Sequence, residues 1–293
     1  MIRLQLHIQL AYTVQPPGAD FFFYIHAART AHQQVQHESL SITPSTAQWD
    51  IQPSAMSGER CLRLRAQPGP LHVHYQATVE MQHHMADPHS IAEVPVHELP
   101  LDVVGYIHPS RYCQSDQLAN FANQEFGSLA PGYARAQAIC HWVQQHVTFR
   151  SNTSDGSTSA MDTLVERVGV CRDFAHLMIA LCRACNMPAR IVTGTDYGAD
   201  PVLGPPDFHA YVEVYLGHRW YIFDPSGNAI PMGMLRLATG RDAADVAFST
   251  SFGGVYGEAP QIETWVEHDA AKGWDWPVHT HMALSTASGL IEA

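Results

Sequence analysis

The chain has 293 residues, of which 46% are hydrophobic and only 15% charged, and its 28 acidic against 16 basic side chains give a formal charge of −12. This is the composition of a packed globular protein long enough for two ordinary domains. The few, scattered cations argue against a nucleic-acid partner, which needs clustered Lys and Arg, and against adhesion to an anionic membrane surface. The 19 histidines make the charge much less negative below about pH 6.

The N-terminal stretch MIRLQLHIQLAYTVQPPG alternates polar and apolar residues and lacks the continuous apolar run of a secretion signal, so it reads as a strand and a cytoplasmic location is expected. No window approaches the run of about 18 apolar residues that spans a membrane. The six cysteines fall at long, irregular spacings and are expected as free thiols.

Up to about residue 98 the segments IRLQLHIQLAYTV, DFFFYIHAA, VQHESLSITP, CLRLRAQ and LHVHYQATVEM show period-two alternation or β-branched and aromatic enrichment. Pro, Gly, Ser and Asp clusters separate them, and together they predict a small β-sandwich over residues 1–98. The Pro-containing stretch ADPHSIAEVPVHELPLD then leads into a second unit, residues 99–293, with a C-terminal extension. There PGYARAQAICHWVQQHV predicts one helix started by Pro131 and ended near Thr148, and AMDTLVERVG a short helix closing on Gly169.

Cys171, Phe174, Ala175, Met178, Leu181, Cys182 and Cys185 recur at steps of three and four, an apolar stripe on a helix that stops before Pro188. ARIVTGTDYG follows as a strand, then the loop ADPVLGPPD, then FHAYVEVYLGHRWYIFDPSG as a β-hairpin. A turn at Leu216 and Gly217 sets His209 directly across from Asp224, whereas a turn at Gly217 and His218 makes them diagonal neighbours. Either register lets the imidazole reach the carboxylate. Phe208, Ala210, Val212 and Val214 form an apolar row on the other face.

An imidazole oriented by a carboxylate is the base half of a nucleophilic triad. Cys171 supplies the other half: the unpaired N–H groups and the dipole at a helix N-terminus favour thiolate, and Gly169 permits a sharp approach. The residues GSTSAMDTLVERVGVCRDFAHLMIALCRACNMPARIVTG followed by FHAYVEVYLGHRWYIFDPSG resemble the transglutaminase-like superfamily of bacterial cysteine enzymes. In that family a Cys after a Gly opens a helix, a His begins one strand and an Asp precedes a Pro at the end of the next, matching Cys171, His209 and Asp224. The resemblance covers about residues 155 to 228, with weaker similarity in SRYCQSD and LATGRDAADVAF.

The resemblance implies an α+β fold, a β-sandwich followed by a papain-like core in which a helix bearing the thiol packs on an antiparallel sheet. It also implies attack of Cys171 on an amide carbonyl of a protein or peptide, with His209 protonating the departing nitrogen and Asp224 holding the imidazole. The thioester then passes to water, as in a peptidase or amidase, or to an amine, as in glutamine acyl transfer. The alternative is a binding or scaffolding protein that retains the fold without catalysis.

Other polar residues invite blander readings. Cys182 and Cys185 form a C-x-x-C on one buried stripe, expected to pack rather than bind zinc, and Cys61, Cys113 and Cys140 are expected as structural thiols. His72 with His74, and His279 with His281, lack a third ligand, and His83 and His84 sit by a turn, so no metal or other cofactor is expected. No acidic loop has the spacing of a calcium site. Asp173 and His176 either order the helix start or line the cleft, Arg241 and Asp242 resemble a structural ion-pair element near the site, and Tyr211 and Trp220 are candidate cleft walls.

Overall fold

A computed structural model of the chain describes residues 1–54, 58–198 and 207–287. The N-terminal region forms strands β1 (Ile2–Val14), β2 (Ala19–Phe23), β3 (Gln33–Thr43), β4 (Gln48–Pro53), β5 (Arg60–Ala66), β6 (Gly69–Met81) and β7 (His84–Ala86). Alternation sets their faces. Ile2, Leu4, Leu6, Ile8 and Leu10 of β1 are buried while the residues between them face outward. Strand β1 pairs along its whole length with β6, from Ile2 opposite Met81 to Val14 opposite Gly69, and β3 flanks β6. A second sheet contains β2, β5 and β4 in that order, and Phe21, Phe23, Leu62, Leu64, Val73 and Tyr75 fill the space between the two sheets. The predicted sandwich is present. Strand β4 was not foreseen from its sequence, because this edge strand has no buried residue and therefore no alternation to read.

The core follows as helices α1 (Leu101–Val104), α2 (Ala119–Phe126) and α3 (Tyr133–His146), the two-residue strand β8 (Thr148–Phe149), α4 (Ala160–Glu166), β9 (Val168–Gly169) and α5 (Cys171–Ala184). Strands β10 (Ala189–Thr195), β11 (His209–Leu216), β12 (Arg219–Phe223) and β13 (Leu235–Gly240) make an antiparallel sheet in the order β12-β11-β10-β13. Helix α5 lies between this sheet and helices α2 to α4, so burial extends round its circumference: His176, Leu177, Ile179, Ala180 and Arg183 are buried beside the predicted stripe. Ala210, Val212 and Val214 pack against it as expected, but Phe208 instead stacks on Phe248 with ring centroids 4.2 Å apart, beside the sandwich core.

After α6 (Ala243–Val246) the chain returns to the sandwich. Strands β14 (Ser249–Phe252), β15 (Val255–Gly257) and β16 (Gln261–Val266) add to β2 and β1, and β17 (Ala283–Ser285) pairs with β7. Residues 249–266, expected as an extension of the second unit, thus complete the first one by covering edges that β1 and β2 would otherwise leave open. The two units are also tied through β13. Leu235 and Leu237 enter the sandwich core, Gln33 exchanges hydrogen bonds of 2.9 Å with the backbone of Arg236, and the Glu59 carboxylate accepts from the Thr239 N–H at 2.6 Å. Among the described residues no helix is long and apolar enough to cross a membrane.

The buried His26 and His176 and the half-buried His83 are expected to make the fold acid-sensitive. Burial lowers His26 and His83 to about 4 and His176 to about 3, and Arg60 adds to the effect at His26. Each of these rings is held neutral in the fold and charges more readily when unfolded, so the stabilisation present above about pH 6.5 is lost as the pH falls towards the folded-state values. For His26 alone the difference is about 3 kcal/mol. The thermal midpoint is expected to drop between pH 7 and pH 4, and His26→Phe, which keeps the ring packed on Tyr75, is expected to make that drop shallower. An unchanged pH slope in the variant would count against the assignment.

Candidate active site

The site begins where β9 ends. Helix α4 stops at Glu166, with Arg167 in the left-handed conformation (φ 55°), so Gly169 lies beyond the helix end rather than closing it. Its lack of a side chain serves packing instead: a Cβ there would lie 2.7 Å from the Cβ of Asp173. Asp173, in the first turn of α5, is fully buried, and its Oδ2 accepts the Val170 N–H at 2.8 Å. Of the two readings open for Asp173, ordering of the helix start is the one its contacts support. Cys171 is the first residue of α5 and only partly buried, with Sγ 3.9 Å from the carbonyl oxygen of Phe208.

That carbonyl belongs to the residue before His209, at the start of β11. The hairpin turns at Gly217 and His218, both at positive φ (52° and 62°), and Val212 pairs with Phe223. The second of the two possible registers is therefore adopted, and His209 and Asp224 approach diagonally, Nε2 to Oδ1 at 3.4 Å. At this length the contact is a charge pairing rather than an aligned hydrogen bond.

Asp224 is itself firmly held. Its Oδ1 accepts from the Ser226 N–H (3.1 Å) and hydroxyl (2.6 Å), its Oδ2 from the Ala229 N–H (3.1 Å), and its carbonyl oxygen from Gln144 on α3 (2.8 Å). Burial raises the Asp224 carboxyl, but His209, Ser226 and Ala229 together bring it below the ordinary range. Burial likewise opposes a charged His209, yet Asp224, together with the Cys171 side chain, holds the imidazole well above its usual value. The structure thus brings Cys171, His209 and Asp224 together at one end of the helix and sheet.

A fourth group joins them that sequence reasoning missed. Asp196 follows β10 directly, and its Oδ2 lies 3.2 Å from Nδ1 of His209, on the other side of the ring from Asp224. Burial raises the Asp196 carboxyl, opposed by His209 and reinforced by Asp224 and Asp207. The available signal was its place at the end of the strand that pairs with β11, where Gly194 is opposite His209. Most of the loop from Asp196 to Asp207 lies outside the described residues.

The remaining candidates fall elsewhere. His176 is buried, stacked on Tyr112, and its Nε2 accepts from the Ala243 N–H at 3.2 Å. Arg241 pairs with Asp245, not with Asp242, and Asp242 caps α6 through the Ala244 N–H while accepting from the Tyr112 N–H, so this element is structural. Tyr211 is fully buried with its ring stacked on that of His209, centroids 6.4 Å apart, so it backs the imidazole, whereas Trp220 packs on Tyr106, Tyr215 and Arg190 at the hairpin's other end, away from the site. His72 and His74 are exposed on the sandwich, and His279 and His281 lie outside any strand. Among the described residues no three potential ligands are grouped for a metal. Burial raises the thiols of Cys61, Cys113, Cys140, Cys182 and Cys185, that of Cys113 to about 12.

Comparison with known proteins agrees with this architecture. The model of the transglutaminase-like superfamily matches residues 119–225, and that of the bacterial transglutaminase N-terminal domain matches residues 2–102. A solved structure from Cytophaga hutchinsonii, described as a putative cysteine protease, is 36% identical, superposes with a TM-score of 0.88, and is matched over 97% of both chains. Uncharacterized proteins of Mycobacterium leprae (30% identical over 38% of this chain) and Mycobacterium bovis (29% over 45%) also match. The chain spans less than half the length of these curated relatives, 41% and 46% respectively. A sandwich that matches one family model, a core that matches the other, and a full-length structural relative place this chain in the transglutaminase-like superfamily.

Proposed function

We propose that the protein is a cysteine-dependent enzyme that acts on amide bonds of proteins or peptides through a thioester. One observation carries this reading: the buried imidazole of His209 lies 3.4 Å from the buried Asp224 carboxylate and beside a partly exposed cysteine at the head of a helix, surroundings that favour its charged form. A scaffold would gain nothing from burying that charge, which costs stability unless its partners compensate.

In the reaction, the Cys171 sulfur forms a bond to the amide carbonyl carbon, and the carbonyl electron pair moves onto oxygen. The N–H groups that open α5 are suited to receive the resulting oxyanion. The C–N bond then breaks as His209 gives its proton to the departing nitrogen, leaving a thioester and a neutral imidazole. Water or a primary amine attacks the thioester, its proton returns to His209, and the sulfur leaves as thiolate. Asp224 keeps the ring oriented and stabilises its cation throughout.

The other five thiols are raised by burial, which supports assigning the nucleophile to Cys171. The test is to supply peptidyl anilides and N-blocked glutaminyl peptides, with and without a primary amine, and to measure anilide release, ammonia release and amine incorporation. Anilide or ammonia release without amine identifies hydrolysis, and amine incorporation identifies transfer. No product above the blank from either substrate class would contradict the proposal.

A further inference from the structure

Both nitrogens of His209 face carboxylates. Nε2 lies 3.4 Å from Asp224 and Nδ1 lies 3.2 Å from Asp196. With Nε2 facing Asp224, Nδ1, the nitrogen beside Asp196, is the one left to exchange a proton with Cys171 and with substrate. The backbone is shaped for this placement. The ladder between β10 and β13 shifts register between Thr193 and Gly194, leaving Leu237 without a partner. A Cβ on Gly194 would lie 2.2 Å from the Leu235 carbonyl oxygen, so the close approach at this bulge requires glycine. The extra residue of the bulge belongs to β13, which bends against β10 at Gly194, and two residues beyond that glycine β10 ends and presents Asp196 to the imidazole.

We propose that Asp196 is a positioning residue for His209, holding Nδ1 on the Cys171 side of the ring and acting as a second carboxylate that keeps the imidazole protonated until the departing nitrogen takes the proton. The ionisable side chains facing this ring are Cys171 from α5, Asp224 from the end of β12 and Asp196 from the end of β10, with Asp207 beside Asp196; the Tyr211 ring of β11 stacks on its face. All four become negative on ionisation, Asp196 sits close enough to Asp224 and Asp207 to feel both, and the imidazolium is the cation beside them. Removing one carboxylate therefore lowers the pH at which the ring loses its proton. The catalytic consequence rests on the amide-bond reading above, but the effect on the ring does not.

The test compares the His209 ring titration, followed by NMR, in the wild-type chain, Asp196→Asn, Asp196→Ser and Asp196→Glu, alongside kcat and KM as functions of pH. The neutral variants are expected to lower the His209 midpoint by about one pH unit or more, and to reduce kcat by about tenfold to a hundredfold with KM nearly unchanged. Asp196→Glu is expected to retain most of the wild-type midpoint. The proposal is overturned if a folded neutral variant titrates like the wild type, including the case where its activity is lost. Two neutral variants are included so that poor folding of one leaves the comparison intact. A wild-type chain that forms no thioester, while its His209 midpoint still falls in Asp196→Asn, would remove the amide-bond reading and leave the inference standing.

Discussion

Cys171→Ala is expected to lower kcat/KM on any amide substrate by about 10⁴-fold or more, the loss typical when a covalent nucleophile is removed. Its thermal midpoint should stay close to that of the wild type. The reason lies in the structure: Cys171 is only partly buried, at the edge of the core beside His209 and 3.9 Å from the Phe208 carbonyl, so Ala leaves no closed cavity. The start of α5 is held by Asp173 on the Val170 N–H and does not depend on the thiol. Substrate turnover and thermal unfolding measured on one preparation separate the two effects. Retained turnover in a folded variant would show that the thiol is not the nucleophile.

Asp224→Asn is expected to cost about 10³- to 10⁴-fold in kcat. The substitution keeps the shape of the side chain but not its acceptors. Asp224 uses Oδ1 for two donors from Ser226 and Oδ2 for the Ala229 N–H. An amide can satisfy the Ser226 side only by turning its NH2 towards the Ala229 N–H, where two donors then face each other.

The pH profile gives a second readout. The folded state raises His209 well above its ordinary value, so the imidazolium needed to protonate the leaving nitrogen is lost only as the pH climbs through that raised value. With the Asp224 charge removed, the alkaline limb of kcat/KM is expected to move down towards the ordinary histidine range of about 6.5. The raised imidazole also contributes stability that is complete below about pH 6.5 and is lost as the pH rises through the raised value, so the part of the variant's stability deficit that comes from this charge pairing should vanish at high pH while the part from the unsatisfied donors stays. An alkaline limb that stays in place would separate Asp224 from His209.

Local patterns made much of this architecture legible from sequence. Period-two alternation in β1 and β6 gives strands whose apolar rows are buried, and steps of three and four from Cys171 to Cys185 give α5. The hairpin brings His209 to Asp224 in either register its sequence allows, and the turn adopted at Gly217 and His218 selects the diagonal one. What escaped depends on pairing between distant parts of the chain. Strand β4 is exposed on an edge and carries no alternation to detect. Strands β14 to β16 join β2 and β1 from the far end of the chain, and no periodicity in SFGGVYGEAPQIETWV states which edge they will cover. Asp196 acquires its place only because β10 lies beside β11 and faces the bulge of β13 two residues earlier, a tertiary fact with no local signature.

The most direct measurement of the central claim is covalent trapping. The wild-type chain is mixed with an activated peptidyl ester at neutral pH, quenched in acid within seconds, and mapped by peptide mass spectrometry. The account predicts one acyl adduct, carried by Cys171, that hydroxylamine removes and that is absent from Cys171→Ala, with Cys61, Cys113, Cys140, Cys182 and Cys185 unmodified. An adduct spread over several cysteines, or none on Cys171, would contradict it.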